Sequence, residues 1–198
     1  MQNSSHGSKG APRRVYVPAN VEMLAHLAAH GEVKPALDVH TVTAWLKGEA
    51  PGADVEDLEY TAFADAALSS VALLVNQAPR RVVISVDVPG DLVEDRPGGT
   101  AAGFEGIVSL KKVAAIHMDD AVAAVQIAAE LDSGEPDLEL IESNVLDWYA
   151  PEELQELLAA LALGRLGSSR PKASTAQNAP ANIAVIEPLY WDWKLRVR

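Results

Sequence analysis

An α/β or α+β fold is what this 198-residue sequence predicts: a single sandwich, with a mixed sheet of about five strands and about four helices. Three observations point there. Segments that read as strands run straight into segments that read as helices, as at Arg14–Pro18, Val113–Met118 and Asp147–Ala150. That alternation builds layered domains with at least one right-handed crossover. Arg81–Val88 (RVVISVDV) is the clearest strand, with Val82, Ile84, Val86 and Val88 on one face and Val83, Ser85 and Asp87 on the other; both faces carry apolar residues, so it is at least half buried. Hydrophobic residues make up 48% of the chain, enough for a real core.

Each element has its own local reason. Met1–Pro12 is Ser/Gly-rich and is set aside as a disordered tail. Arg14–Pro18 is β-branched at Val15 and Val17 and reads as a strand. Asn20 suits a helix N-cap, Val21, Leu24, Leu27 and Ala28 step by three and four, and Gly31 suits the end. Val39–Trp45 reads as a second strand. Beyond Gly48–Gly52, a long helix is expected from Asp54 to Gln77, with a stripe of Tyr60, Phe63, Ala67, Val71 and Leu74. Acids at 54, 56 and 57 favour its first turn, and Pro79 stops it. Pro89–Gly106 reads as a long loop and Val113–Met118 as a strand, after which Asp119 and Asp120 open a helix through Leu131. Val145–Tyr149 reads as a short strand, and Pro151 begins a helix running to Leu163, closed by Gly164. The domain therefore spans 13–164. Residues 165–181 have linker composition, and 182–198 form a separate apolar segment.

Composition excludes several function classes. A net charge of −12 and a pI of about 4.7 oppose sequence-independent nucleic-acid binding. The chain has no cysteine, which removes disulfides, thiolate nucleophiles and cysteine-held metals. No apolar run reaches the ~20 residues of a membrane span, and the N-terminus lacks the apolar stretch of a signal peptide, so a cytoplasmic protein is expected. No cofactor is expected either. In Gly98–Gly103 (GGTAAG), no Gly-Lys-Ser/Thr ends the run and Thr100 stands where a dinucleotide fingerprint needs glycine, so it reads as a surface loop.

Three groups of residues carry possible chemistry. His26 and His30 are four apart on a helix, but the dipole at the last turn accounts for His30 without a metal. His117, Asp119 and Asp120 lie at a strand end, and Asp87 lies near the end of another strand. If those strands are parallel, the carboxylates meet at the carboxyl edge and suit Mg²⁺. The plainer expectation is that Asp119 or Asp120 caps the following helix and Asp87 begins a turn. Trp148 and Tyr149 are expected as core anchors, because aromatic burial is so favourable.

Several of these segments resemble a known family. Arg14-Val15-Tyr16-Val17-Pro18 followed by Met23-Leu24, then Leu58-Glu59-Tyr60, Arg81-Val82-Val83, His117-Met118-Asp119-Asp120 and Trp148-Tyr149, are similar to an actinobacterial family of uncharacterised proteins, domain of unknown function 6912. The resemblance spans about Arg14 to Leu163. It implies a bacterial cytoplasmic protein and carries over no catalytic residue.

The sharpest pattern follows the linker. Leu189, Trp191, Trp193, Leu195 and Val197 fall on every second residue, with Tyr190, Asp192, Lys194, Arg196 and Arg198 between and after them. Period two is the mark of a half-buried strand, and so large an apolar face implies docking on a sheet edge. The edge is that of its own sheet or of another chain. The leading expectation is a non-enzymatic binding or regulatory module that meets a protein partner, or itself, through residues 182–198, with no nucleic acid and no membrane. The competing expectation is a Mg²⁺-dependent phosphoryl-transfer or hydrolytic enzyme using Asp87, Asp119 and Asp120, and a small-molecule-binding domain is a third.

Overall fold

A computed structural model describes residues 10–74 and 80–163. The tail to residue 9, the helix end at Gln77 and Pro79, Gly164, the linker at 165–181 and the docking strand at 182–198 lie outside the described residues. In chain order the elements are β1 (Pro12–Ala19), α1 (Val21–His30), β2 (Glu32–Val33), β3 (Val39–His40), α2 (Ala44–Glu49), α3 (Val55–Ser69), β4 (Val82–Pro89), β5 (Val93–Asp95), β6 (Ala101–Phe104), β7 (Val108–Ser109), β8 (Val113–Met118), α4 (Ala121–Asp132), α5 (Leu138–Ser143), β9 (Asp147–Tyr149) and α6 (Leu154–Ala162).

Seven strands form one sheet in the order β5-β6-β3-β1-β4-β8-β9, while β2 and β7 pair separately. The centre is β1 against β4, in register from Pro12 opposite Pro89 to Ala19 opposite Val82. Every pairing is antiparallel. The fold is thus α+β with a larger sheet than the sequence predicts, and among the described residues the sheet is antiparallel, not mixed. Strand-then-helix order alone cannot set direction. Here β3 and β4 do run the same way, but β1 lies between them and pairs antiparallel with each. The crossover through α3 therefore bridges a strand instead of joining neighbours.

The alternation along β1 and β4 divides the core in two. Val15, Val17, Val82, Ile84 and Val86 pack with Leu24 and Leu27 of α1 and Leu154 and Leu157 of α6. On the opposite face Tyr16 and Val83 pack with Ala62 and Ala66 of α3. A third cluster of Leu68, Leu74, Ile127 and Ile141 ties α3, α4 and α5 together. The helices thus sandwich the sheet on both sides.

Local chemistry explains the boundaries. Asn20 accepts a hydrogen bond from the Met23 N–H at 2.9 Å, and Gly31 ends α1 at φ 75°, where a side chain would be strained. The expected strand over Val39–Trp45 stops at His40, because the Thr43 hydroxyl accepts from the Leu46 N–H at 3.1 Å and starts α2. The long helix is α3 followed by one 3-10 turn at Ser70–Leu73. Its buried face is Leu58, Ala62, Ala66 and Ala67, small residues that let it lie close to the sheet. Tyr60, expected in the stripe, is 58% exposed. The expected Pro89–Gly106 loop is a hairpin of β5 and β6, turning through Gly98 and Gly99, both at φ 74°. α5, absent from the sequence reading, starts at Asp137, whose carboxylate accepts from the Glu139 and Leu140 N–H groups. Among the described residues no helix is long and apolar enough to cross a membrane.

Candidate functional site

The structure disperses the expected carboxylate cluster. Asp119 follows the end of β8 and, because β8 is antiparallel to β4, stands beside Arg81 just before β4 begins. Asp87 lies six residues farther along the chain, about 20 Å away at ~3.3 Å per strand residue. Each carboxylate already has work. Asp87 takes two hydrogen bonds from the Arg14 guanidinium, at 2.6 and 2.9 Å, which hold its carboxyl below the usual range. Asp120 caps α4 by accepting from the Ala123 N–H at 2.8 Å. Asp119 does not cap. It is fully buried and accepts from the Arg81 side chain at 2.8 and 3.0 Å and from the Arg81 backbone N–H at 2.8 Å. Among the described residues no three His, Asp or Glu side chains are placed to hold a metal. His26 and His30 stack with ring centroids 4.1 Å apart, and the His30 Nδ1–H donates to the His26 carbonyl at 3.0 Å.

His117 instead belongs to an aromatic row on the α3 side of the sheet. The register places Val83, His117 and Trp148 side by side across β4, β8 and β9. Phe63 of α3 meets the His117 ring edge-on at 4.6 Å, Tyr16 at 5.9 Å and Tyr60 at 6.3 Å. The two ends of the row, Tyr60 and Trp148, are 58% and 59% exposed. Trp148 is therefore not the expected core anchor. On β9, Tyr149 turns to the α1 and α6 side and is buried, while Trp148 turns the other way, at the outermost strand of the sheet. Two consecutive strand residues cannot face the same layer. Burial pushes the His117 imidazole down to about 4, and Ser85 Oγ lies 3.2 Å from its Nε2. Burial, and then the Glu59 carboxylate, raise the Tyr16 phenol above its ordinary range. The row is thus uncharged at neutral pH and presents π-faces and edges, a surface for apolar or aromatic side chains.

A second assembly is part-buried, with His40 and Thr100 enclosed and Asp65 and Ser69 half-buried. His40 of β3 places Nδ1 2.8 Å from Thr100 Oγ1 and Nε2 2.9 Å from Ser69 Oγ. Thr100 in turn donates to Asp65 at 2.5 Å. Burial pushes His40 down to about 4, against a smaller upward pull from Asp38. Thr100, read from sequence as part of a surface loop, is 3% exposed and a hub of this chain. Nothing local announces the arrangement, because its four residues come from α3, β3 and the turn before β6.

Fold and site together define an antiparallel α+β domain with an aromatic row running out to an edge strand and a separate part-buried Asp-Thr-His-Ser chain. The chain belongs to a family of unknown function, DUF6912, whose model matches residues 13–158. No curated protein and no solved structure matches it.

Proposed function

We propose that this protein is a cytoplasmic binding or regulatory module that acts through protein–protein contacts, with residues 182–198 supplying a docking strand. The observation that carries this is the period-two run Leu189, Trp191, Trp193, Leu195 and Val197. Two further features support it. The domain ends in outermost strands, and such strands accept added strands through main-chain hydrogen bonds, with side-chain pockets giving specificity. Charge also favours docking. Residues 10–74 and 80–163 hold nine lysines and arginines against 26 aspartates and glutamates, whereas 182–198 hold Lys194, Arg196 and Arg198 against Glu187 and Asp192. Opposite charge speeds encounter and disfavours wrong partners.

The test compares the full chain with one lacking 182–198, by light scattering and urea denaturation. Truncation is expected to dissociate an assembly or to lower stability. Unchanged mass and unchanged stability, with Trp191 and Trp193 emitting as water-exposed indoles in the full chain, would refute the reading.

Trp148→Ala separates binding from folding. A side chain this exposed is expected to change stability by under about 1 kcal/mol. At the end of the aromatic row it is expected to weaken any contact made there, since aromatics are the common anchors of interfaces. Denaturation and partner titration on one preparation check both halves.

A further inference from the structure

With Asp65 ionised, the polarity of this part-buried chain follows from its donors and acceptors. Asp65, as a carboxylate, only accepts, so the single Thr100 hydroxyl proton goes to it. Thr100 Oγ1 can then only accept from His40, which puts the imidazole proton on Nδ1. His40 Nε2 is left with its lone pair facing Ser69 Oγ at 2.9 Å, so the Ser69 hydroxyl must donate to it. The helix-end serines nearby in sequence type behave differently: Ser70, Ser133 and Ser143 each give their proton to a backbone carbonyl three residues back. Ser69 alone among these four aims its proton at a neutral imidazole that is itself held by a third group. That is the pattern of an activated serine: nucleophile, base and orienter in hydrogen-bond sequence. Ser69 is also only half-buried, whereas Ser70 is fully enclosed.

We infer that Ser69 is a base-activated nucleophile for acyl esters, with His40 as its general base and Thr100 and Asp65 as positioning residues. This goes beyond the contact reading and does not depend on it. In the step, Ser69 Oγ forms a bond to the ester carbonyl carbon and its proton passes to His40 Nε2. The bond from that carbon to the alcohol oxygen breaks, and the proton leaves with the alcohol. Water then attacks the acyl-serine along the same path and returns Ser69 and the free acid. Burial leaves the His40 Nε2 lone pair unprotonated at neutral pH and makes the ring a weaker base than an ordinary imidazole, so the serine proton is held on it only in passing before it leaves with the alcohol.

The experiment uses the full chain and an alkyl fluorophosphonate. The Ser69 oxygen would bond to phosphorus as fluoride leaves with the serine proton. Intact mass and peptide mapping are expected to show one adduct, on Ser69, lost in Ser69→Ala and retained in Ser70→Ala. The labelling rate is expected to fall at least 10-fold in Thr100→Val, which keeps both serine and imidazole but not the orienting oxygen. A role that merely tied α3 to the sheet would not produce an adduct. On wild type alone, the rate should be level near neutrality and decline as His40 protonates toward pH 4. No adduct at Ser69 overturns the inference, and so does an equal rate in folded Thr100→Val. Should Thr100→Val fail to fold, the wild-type adduct site and its pH profile decide.

Discussion

Asp119→Ala is expected to cost about 3–5 kcal/mol of stability, and Arg81→Ala a similar amount, because each leaves its partner as an uncompensated buried charge. Arg81 is 1% exposed and Asp119 0%. The guanidinium makes a two-point contact with the carboxylate and gives a further hydrogen bond to the Asn144 carbonyl at 2.7 Å. The carboxylate also takes the Arg81 backbone N–H, and the two backbones meet again where the Asp119 N–H donates to the Arg81 carbonyl at 3.1 Å. One pair thus fastens the start of β4, the end of β8 and the segment before β9. Removing either member takes a large share of the ~5–15 kcal/mol that holds an ordinary domain. The double replacement Arg81→Met with Asp119→Leu is expected to lose less than the two single losses together, since no buried charge remains. Urea denaturation of the four proteins measures this. Single variants within about 1 kcal/mol of wild type would mean that water reaches the site.

How legible this was in the sequence depended on how local each feature is. The strands at Val15–Val17, Val82–Val88 and Val113–Met118 could be read because each is a largely apolar run that carries β-branched residues, Val15 and Val17 in the first, Val82, Val83, Ile84, Val86 and Val88 in the second, Val113 and Ile116 in the third. α1 could be read because its two caps, Asn20 and Gly31, sit inside the chemistry they control. β5 and β6 could not, because three- and four-residue strands rich in Asp, Glu, Ala and Gly look like the turn that joins them. Nor could the direction of the strands. That hid the Arg81–Asp119 pair, 38 residues apart in sequence, and suggested a carboxylate cluster that antiparallel pairing pulls apart. The error at Trp148 has a different source. Size predicts burial on average, but a three-residue edge strand has one covered face, and Tyr149 occupies it. The Asp65–Thr100–His40–Ser69 chain needed the register of β3 against β6, which no pattern of either strand reveals.

Stability is expected to fall by about 2 kcal/mol for each of His40 and His117 between neutral pH and pH 5, following ~1.4 kcal/mol per pH unit for each proton taken up. Both imidazoles are pushed from an ordinary value of 6.5 down to about 4, in each case first by burial. The direction follows from which state binds protons. Above pH 6.5 neither state protonates them, and their contribution to folding is whole. Between 6.5 and about 4 the unfolded chain takes up two protons that the folded chain refuses, so stability declines as pH falls. Below about 4 both states are protonated and these two groups cause no further loss. Asp87, whose carboxyl is held low first by the Arg14 hydrogen bonds, adds a loss of the same sign, but only at more acid pH. The structural reason differs at the two sites. A second proton on His40 would meet Ser69 as a donor where the chain has an acceptor, and it would charge a ring that is 7% exposed. On His117 it would place a cation against Phe63 and Ser85, and among the described residues no carboxylate offsets the burial of the ring. Urea midpoints at pH 7 and pH 5 measure the sum, and His117→Gln should remove close to half of the difference. Resonances assigned to His40 and His117 that titrate near 6.5 in the folded protein would contradict it, because rings free to charge at that pH are not buried as described.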